Sequence, residues 1–279
     1  MTDLKCTRCG ALTFGKEQIC GLCGIELNPL GRPFPGPILY PAPQHAAVNS
    51  FDTSDITWPT ISLFIKNFWL ITKLTLVIVF PFEIFKTLSL AEYTPDEPLT
   101  VGVFLLDAMC KVLIAPALIY ALMKVRETGK APGINESYRW GLGKVGKLSI
   151  CAAIAWILQA LGFALCIVPG ILVWLSLQIV YPLAVLEKGS ALEALQGSHD
   201  LTRGHRSYLF VANLLIGTLI VVISLIAEGI GNGLLFGQPF WWPIQVGTAV
   251  FADIIEQSTT VLSLVTYLAI RGLWREGSQ

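Results

Sequence analysis

Four cysteines near the start of the chain are the residues best spaced for chemistry. Cys6-Thr-Arg-Cys9-Gly10 and Cys20-Gly-Leu-Cys23-Gly24 form two C-x-x-C-G units. Each unit turns two thiolates toward one centre, and two units complete a tetrahedral four-cysteine site of the kind that holds Zn2+. The glycine after each second cysteine permits the positive-φ backbone that lets N–H groups face sulfur. Four thiolates leave no open coordination position, so the expected zinc is structural rather than catalytic. In so short a segment, metal binding and folding should be one event. A redox dithiol or an iron centre is the competing reading of the same four residues. Cys110, Cys151 and Cys166 lie singly in apolar stretches and read as small buried hydrophobes. Lys5, Arg8 and Lys16 are too few to argue for nucleic acid.

The second set is ionisable residues embedded in apolar sequence. These are Glu83 and Lys86, Asp107 and Lys111 one helical turn apart, Glu228, and Asp253 with Glu256. Charges inside a membrane span are costly and default to a functional hypothesis. At about 1.5 Å per helical residue, Lys111 and Glu256 fall at similar depth, with Asp107, Asp253 and Glu83 nearer the outside. Three readings stand: a structural lock pairing Lys111 with Asp107 or Glu256, an outward vestibule for a cation or a polar lipid headgroup, or an ion-coupled pathway. His45, His199 and His205 fall in connectors or the linker. No histidine box or serine–histidine pair lies within a span, so no catalytic residues are expected.

The elements that must position these residues are mostly apolar. Of 279 residues, 54% are hydrophobic and 14% charged, against about 25% charged in a soluble domain. Formal net charge is zero. A membrane helix needs about 20 apolar residues. The stretches 71–90, 100–123, 148–166, 171–186, 209–236 and 244–270 reach or approach that length. The expected fold is an all-α polytopic membrane protein of six transmembrane helices with cytoplasmic interfacial helices, plus a small N-terminal four-cysteine zinc ribbon. Residues 1–27 form the ribbon, 28–59 a Pro-rich linker and 60–279 the membrane domain. The first 30 residues lack the apolar core of a cleaved signal, so the first hydrophobic stretch is expected to be an uncleaved anchor.

Lys and Arg concentrate in the connector after the second stretch (Lys124, Arg126, Lys130), in the one after the fourth (Lys188, Arg203, Arg206) and in the tail; connectors 91–99, 167–170 and 237–243 have none. The positive-inside rule then sets both termini in the cytoplasm. Amphipathic interfacial segments are expected at Trp58–Phe68, Ile134–Lys144 and Ser190–Arg203. In the last, Ser190 and Glu193 form a capping box. An offset of 61 residues relates Tyr120 to Tyr181, Ser137 to Ser198 and Gly143 to Gly204, as a duplicated unit would.

Residues 168–206 carry Val-Pro169-Gly170, then Tyr-Pro182-Leu-Ala-Val-Leu-Glu187, then an Ala-Leu…Ser198-His-Asp-Leu-Thr-Arg203-Gly204 helix. This pattern resembles the membrane domain first described in glycerophosphoryl diester phosphodiesterases. That domain places a Pro-Gly before a span, a Pro and a Glu at its end, and a Ser-Trp-x-Leu-Thr-x-Gly helix after it. Gly197 and His199 depart from the basic residue and the tryptophan usual there, which weakens any headgroup role inferred for those positions. The phosphodiesterase catalytic domain has no counterpart here, so the resemblance implies a membrane module without hydrolase chemistry. The cysteine head resembles the small zinc ribbons of bacterial membrane proteins. Together these imply a non-enzymatic bacterial inner-membrane scaffold or adaptor whose ribbon docks a cytoplasmic partner. The alternative is a transporter or lipid-handling protein using the intramembrane charges.

Overall fold

The computed structural model describes residues 4–5, 12–13, 52–90, 98–235 and 241–271. Cys6, Cys9, Cys20 and Cys23, the linker prolines up to Pro43, and connectors 91–97 and 236–240 lie outside the described residues. β1 (Leu4–Lys5) pairs antiparallel with β2 (Leu12–Thr13), so the strands bracket the first C-x-x-C unit along the chain. The described residues otherwise form α1 (Ser54–Lys66), α2 (Phe68–Leu90), α3 (Pro98–Thr128), α4 (Ile134–Leu165), α5 (Ile167–Ser176), α6 (Val180–Leu186), α7 (Ala191–Thr202), α8 (Arg206–Leu235) and α9 (Trp241–Ile270).

Five segments among the described residues are long and apolar enough to cross a membrane: Phe68–Thr87, Leu106–Thr128, Ile134–Leu165, Ile167–Leu186 and Arg206–Ala227. The chain is a multi-pass helical membrane protein. Ile150, Ile157 and Leu161 on α4, and Leu214, Leu219 and Leu225 on α8, face outward. Continuous apolar faces of this size are unfavourable against water and are at home against acyl chains. α9 is 30 residues long, as is α8. It falls outside the five because Asp253, Glu256, Gln257 and three hydroxyl residues follow one another through Thr260. It packs on α1, α2, α3, α6 and α8, and buries Val261, Val265, Tyr267 and Leu268. Connectivity sets α1 and α7 at one end of the bundle, with the α4–α5 turn at the opposite end.

The segment Ile134–Lys144 is not a separate interfacial helix. It is the start of the 32-residue α4. No proline interrupts it, and Gly141 lets it cross α3 closely: a Cβ there would lie 3.0 Å from the Ala117 backbone nitrogen. The first stretch expected to be interfacial is helical as α1, which starts at Ser54, inside the stretch assigned to the linker. α7 matches the third. Its Ser190 Oγ accepts the Glu193 N–H and the Glu193 carboxylate accepts the Ser190 N–H, both at 3.2 Å. Gly204 ends the helix at φ +95°, a conformation that favours glycine. Gly143, its counterpart at the 61-residue offset, lies inside α4, so the two glycines do different work.

Candidate functional site

The span Ile167–Leu186 is broken. α5 stops at Ser176, residues 177–179 form a turn, and α6 starts at Val180. The sequence predicts a kink at Pro182; the break lies before it because Pro182 occupies the first turn of α6, where a missing N–H is tolerated. Two carbonyls lose their helical donors. Pro182 has no N–H for Gln178 O, and the Val180 N–H turns to Leu177 O at 3.1 Å, which leaves Ser176 O. Side chains from other helices replace them. Ser198 of α7 donates to Ser176 O at 2.8 Å, Thr202 donates to Ser198 O at 2.8 Å and lies 3.4 Å from Ser176 O, and Ser263 of α9 donates to Gln178 O at 2.6 Å. Asn213 of α8 donates to Gln178 Oε1 at 2.7 Å. Broken backbone persists at membrane depth only with partners of this kind.

The other motif residues surround this break. The α4–α5 turn is one extended residue, Cys166, so residues 167–170 belong to α5 rather than to a connector. Pro169 is the third residue of α5, where its absent N–H is harmless. Gly170 admits the neighbouring helix: a Cβ there would lie 2.4 Å from the Phe163 ring, and one at Gly162 would lie 3.1 Å from Gly170 Cα. Glu187 closes α6. Its carboxylate accepts from Tyr267 at 2.9 Å and pairs with Arg271, while its carbonyl accepts from Lys147 at 3.0 Å. A tie from Glu187 to Asp200 and Arg203 is the sequence expectation. Instead Tyr267 of α9 and Arg271 just after it take the carboxylate, and Asp200 on α7 and Arg203 at its C-cap are exposed.

α5 leans on α4, α7 and α8, whereas α6 leans on α3, α4, α7 and α9. Where the two halves diverge lies a cavity of about 310 Å³. Trp156, Trp174 and Tyr181 supply aromatic walls, and Gln159, Gln178 and Asn213 supply amides. α9 completes it with Glu256, Thr259, Thr260 and Ser263. The Gln178 Nε2 is buried without a hydrogen-bond partner within the protein.

Glu256 joins this cavity to the charge cluster. Lys111 Nζ lies 2.8 Å from Glu256 Oε2 and 3.2 Å from Asp107 Oδ2. Lys111 and Glu256 sit near the midpoints of α3 and α9. Asp253 is within electrostatic reach of Lys111, Glu83, Asp107 and Glu256. Glu83 is fully buried and pairs with Lys86. Glu228 lies on α8; its side chain lies outside the description. Among the described residues, no three His, Cys, Asp or Glu side chains are grouped to hold a metal ion.

The break, its braces and a cavity shared by aromatic and charged groups define a helical membrane protein with a discontinuous span. A family model described as a domain of unknown function, DUF7847, matches residues 140–273. That stretch is just under half of the chain and contains every residue named as lining the cavity; Asp107 and Lys111 lie outside it. No curated protein and no solved structure matches the chain.

Proposed function

We propose that this chain crosses the bilayer six times and holds a small polar ligand or lipid headgroup beside the broken span, in a non-enzymatic transport or lipid-handling role. The cavity carries this reading. A space of about 310 Å³ with amides, hydroxyls and a carboxylate at mid-helix depth is costly to maintain in a membrane without a ligand to meet those groups. Discontinuous spans are also where many transporters bind substrate, an analogy at the level of architecture.

α9 is the sixth span in this reading. Its 30 residues rise about 45 Å, which exceeds a hydrocarbon core of about 30 Å. Its polar residues meet Lys111 and the cavity instead of lipid. The Lys and Arg residues at the α1/α7 end favour a cytoplasmic location for that end and for both termini. The resemblance to bacterial membrane modules favours an inner membrane. The likeness to the phosphodiesterase membrane domain rests on Pro169, Gly170, Pro182, Glu187, Ser198 and Gly204, and brings no hydrolase step.

The four-cysteine head supports a second, compatible reading, in which a zinc ribbon built on Cys6, Cys9, Cys20 and Cys23 docks a cytoplasmic partner and the chain acts as a scaffold or adaptor. Affinity capture with the intact chain and with Cys6→Ser tests this docking; an identical set of captured proteins argues against docking through the ribbon.

Water access tests the cavity. Thr259→Cys and Leu214→Cys variants in lipid vesicles are treated with a hydrophilic thiosulfonate, and peptide mass spectrometry reads each site. Thr259→Cys should react while the lipid-facing Leu214→Cys stays unmodified; two unreactive sites would remove the support for a ligand chamber.

A further inference from the structure

We propose that the ligand this cavity accepts is an ammonium group, held by Glu256 and walled by Trp156, Trp174 and Tyr181. The inference rests on the ligand-binding reading above and names its chemistry. Three aromatic side chains and one carboxylate line the same space. Aromatic faces attract cations through their quadrupole, most strongly when water is displaced, and quaternary ammonium is the ligand such walls serve best. An anion has no comparable anchor there. Lys111, the nearest cation, already lies between Glu256 and Asp107.

The wider charge pattern points the same way. Glu83, Asp107, Asp253 and Glu256 face Lys86 and Lys111, so carboxylates outnumber ammonium groups by two to one. Lys111 mimics the ligand's charge and holds Glu256 while the cavity is vacant. An entering ammonium takes over Glu256, and Lys111 keeps its second partner, Asp107. Gln178 Nε2, unpartnered within the protein, is a donor suited to an oxygen elsewhere on the ligand. The shared chemistry fits either a free organic cation or the headgroup of a zwitterionic lipid.

The test uses the full chain in nanodiscs of phosphatidylglycerol alone, with tetramethylammonium and choline as probes and glycerol 3-phosphate and glucose as the anionic and neutral controls. Calorimetry should show saturable binding of the ammonium probes only. Glu256→Gln and Trp156→Leu should each weaken it by about tenfold. Lys111→Met should strengthen it, a gain that misfolding cannot produce. Nanodiscs containing phosphatidylethanolamine sort the source: competition assigns the site to a lipid headgroup, and unchanged binding assigns it to a free cation. Either result supports the ammonium site. Saturable binding of glucose or glycerol 3-phosphate without the ammonium probes would overturn it and leave the ligand-binding reading standing. Absence of binding by all probes overturns the ammonium assignment, and the Thr259→Cys reaction then reports separately whether the chamber is wet.

Discussion

At the residue scale, side chains replace backbone donors. Ser198 is fully buried and donates to Ser176 O at 2.8 Å; Thr202, also fully buried, donates to Ser198 O at 2.8 Å and lies 3.4 Å from Ser176 O. Hydrogen bonds between membrane helices average about 0.6 kcal/mol, with a maximum near 1.7. Ser198→Ala should therefore cost about 1 kcal/mol in a reversible unfolding assay, and adding Thr202→Val should cost more, because the Thr202 hydroxyl within reach of Ser176 O and its bond to Ser198 O are then lost as well. Glu187 is the second such residue. Its bonds to Tyr267 and Arg271 join α6 to the end of α9. Removing one member of a largely buried pair leaves a lone charge, so Glu187→Ala should lower stability by about 2–3 kcal/mol. A double-mutant cycle with Arg271→Met should show a coupling that a mere surface pair lacks. The sequence marked Glu187 and Ser198 by family pattern, but the partners were invisible. Arg271 is 84 residues along from Glu187, and nothing in local spacing points from one to the other.

At the element scale, glycine decides which helices touch. A Cβ at Gly141 meets the Ala117 backbone, one at Gly162 meets the Gly170 backbone, and one at Gly143 meets nothing within 4 Å. Gly141→Ala and Gly162→Ala should each destabilise by about 1–3 kcal/mol. Gly143→Ala should be neutral or gain up to about 1 kcal/mol from helix propensity. Thermal unfolding of the three variants checks the contrast. The turn from α7 to α8 adds a pH dependence. Burial lowers the His205 imidazole from its ordinary value. The fold therefore favours the neutral ring: this contribution is full above about pH 6.5 and is lost as pH falls through the lowered value. Melting temperature should drop from pH 7.5 to pH 5, and the drop should shrink in His205→Gln.

Helix existence was legible because long apolar runs leave little choice, and α7 was legible because its capping box is local. The start of α4 was not, since an amphipathic segment continuing into a span looks like a separate one. The break in α5–α6 was displaced from its marker because Pro182 tolerates a first-turn position. The cavity's aromatic walls stayed hidden. Trp156, Trp174 and Tyr181 read as ordinary apolar residues until the packing of the broken span against α4 brings them to one space. The amides Gln159, Gln178 and Asn213, lodged in apolar sequence, were the signal that could have found it.

At the scale of the whole molecule, α9 decides how many times the chain crosses the bilayer. In the proposed six-span arrangement its polar middle is tolerated inside the bilayer because it meets Lys111, the broken span and the cavity. Zinc belongs to this scale too, because a four-cysteine head would fold with its metal. Metal analysis of the intact chain should find about one zinc per molecule, and Cys6→Ser should lose it. Depletion with a chelator should leave the helical signal of the membrane domain unchanged. The most direct measurement is the side of the membrane on which the two ends of the chain lie, read with paired reporters fused to residues 1 and 279. A sixth crossing by α9 puts both reporters on one side, and the Lys and Arg distribution predicts that this side is the cytoplasm. Reporters on opposite sides would mean five crossings, with Glu256 outside the membrane and no mid-bilayer chamber for it to line.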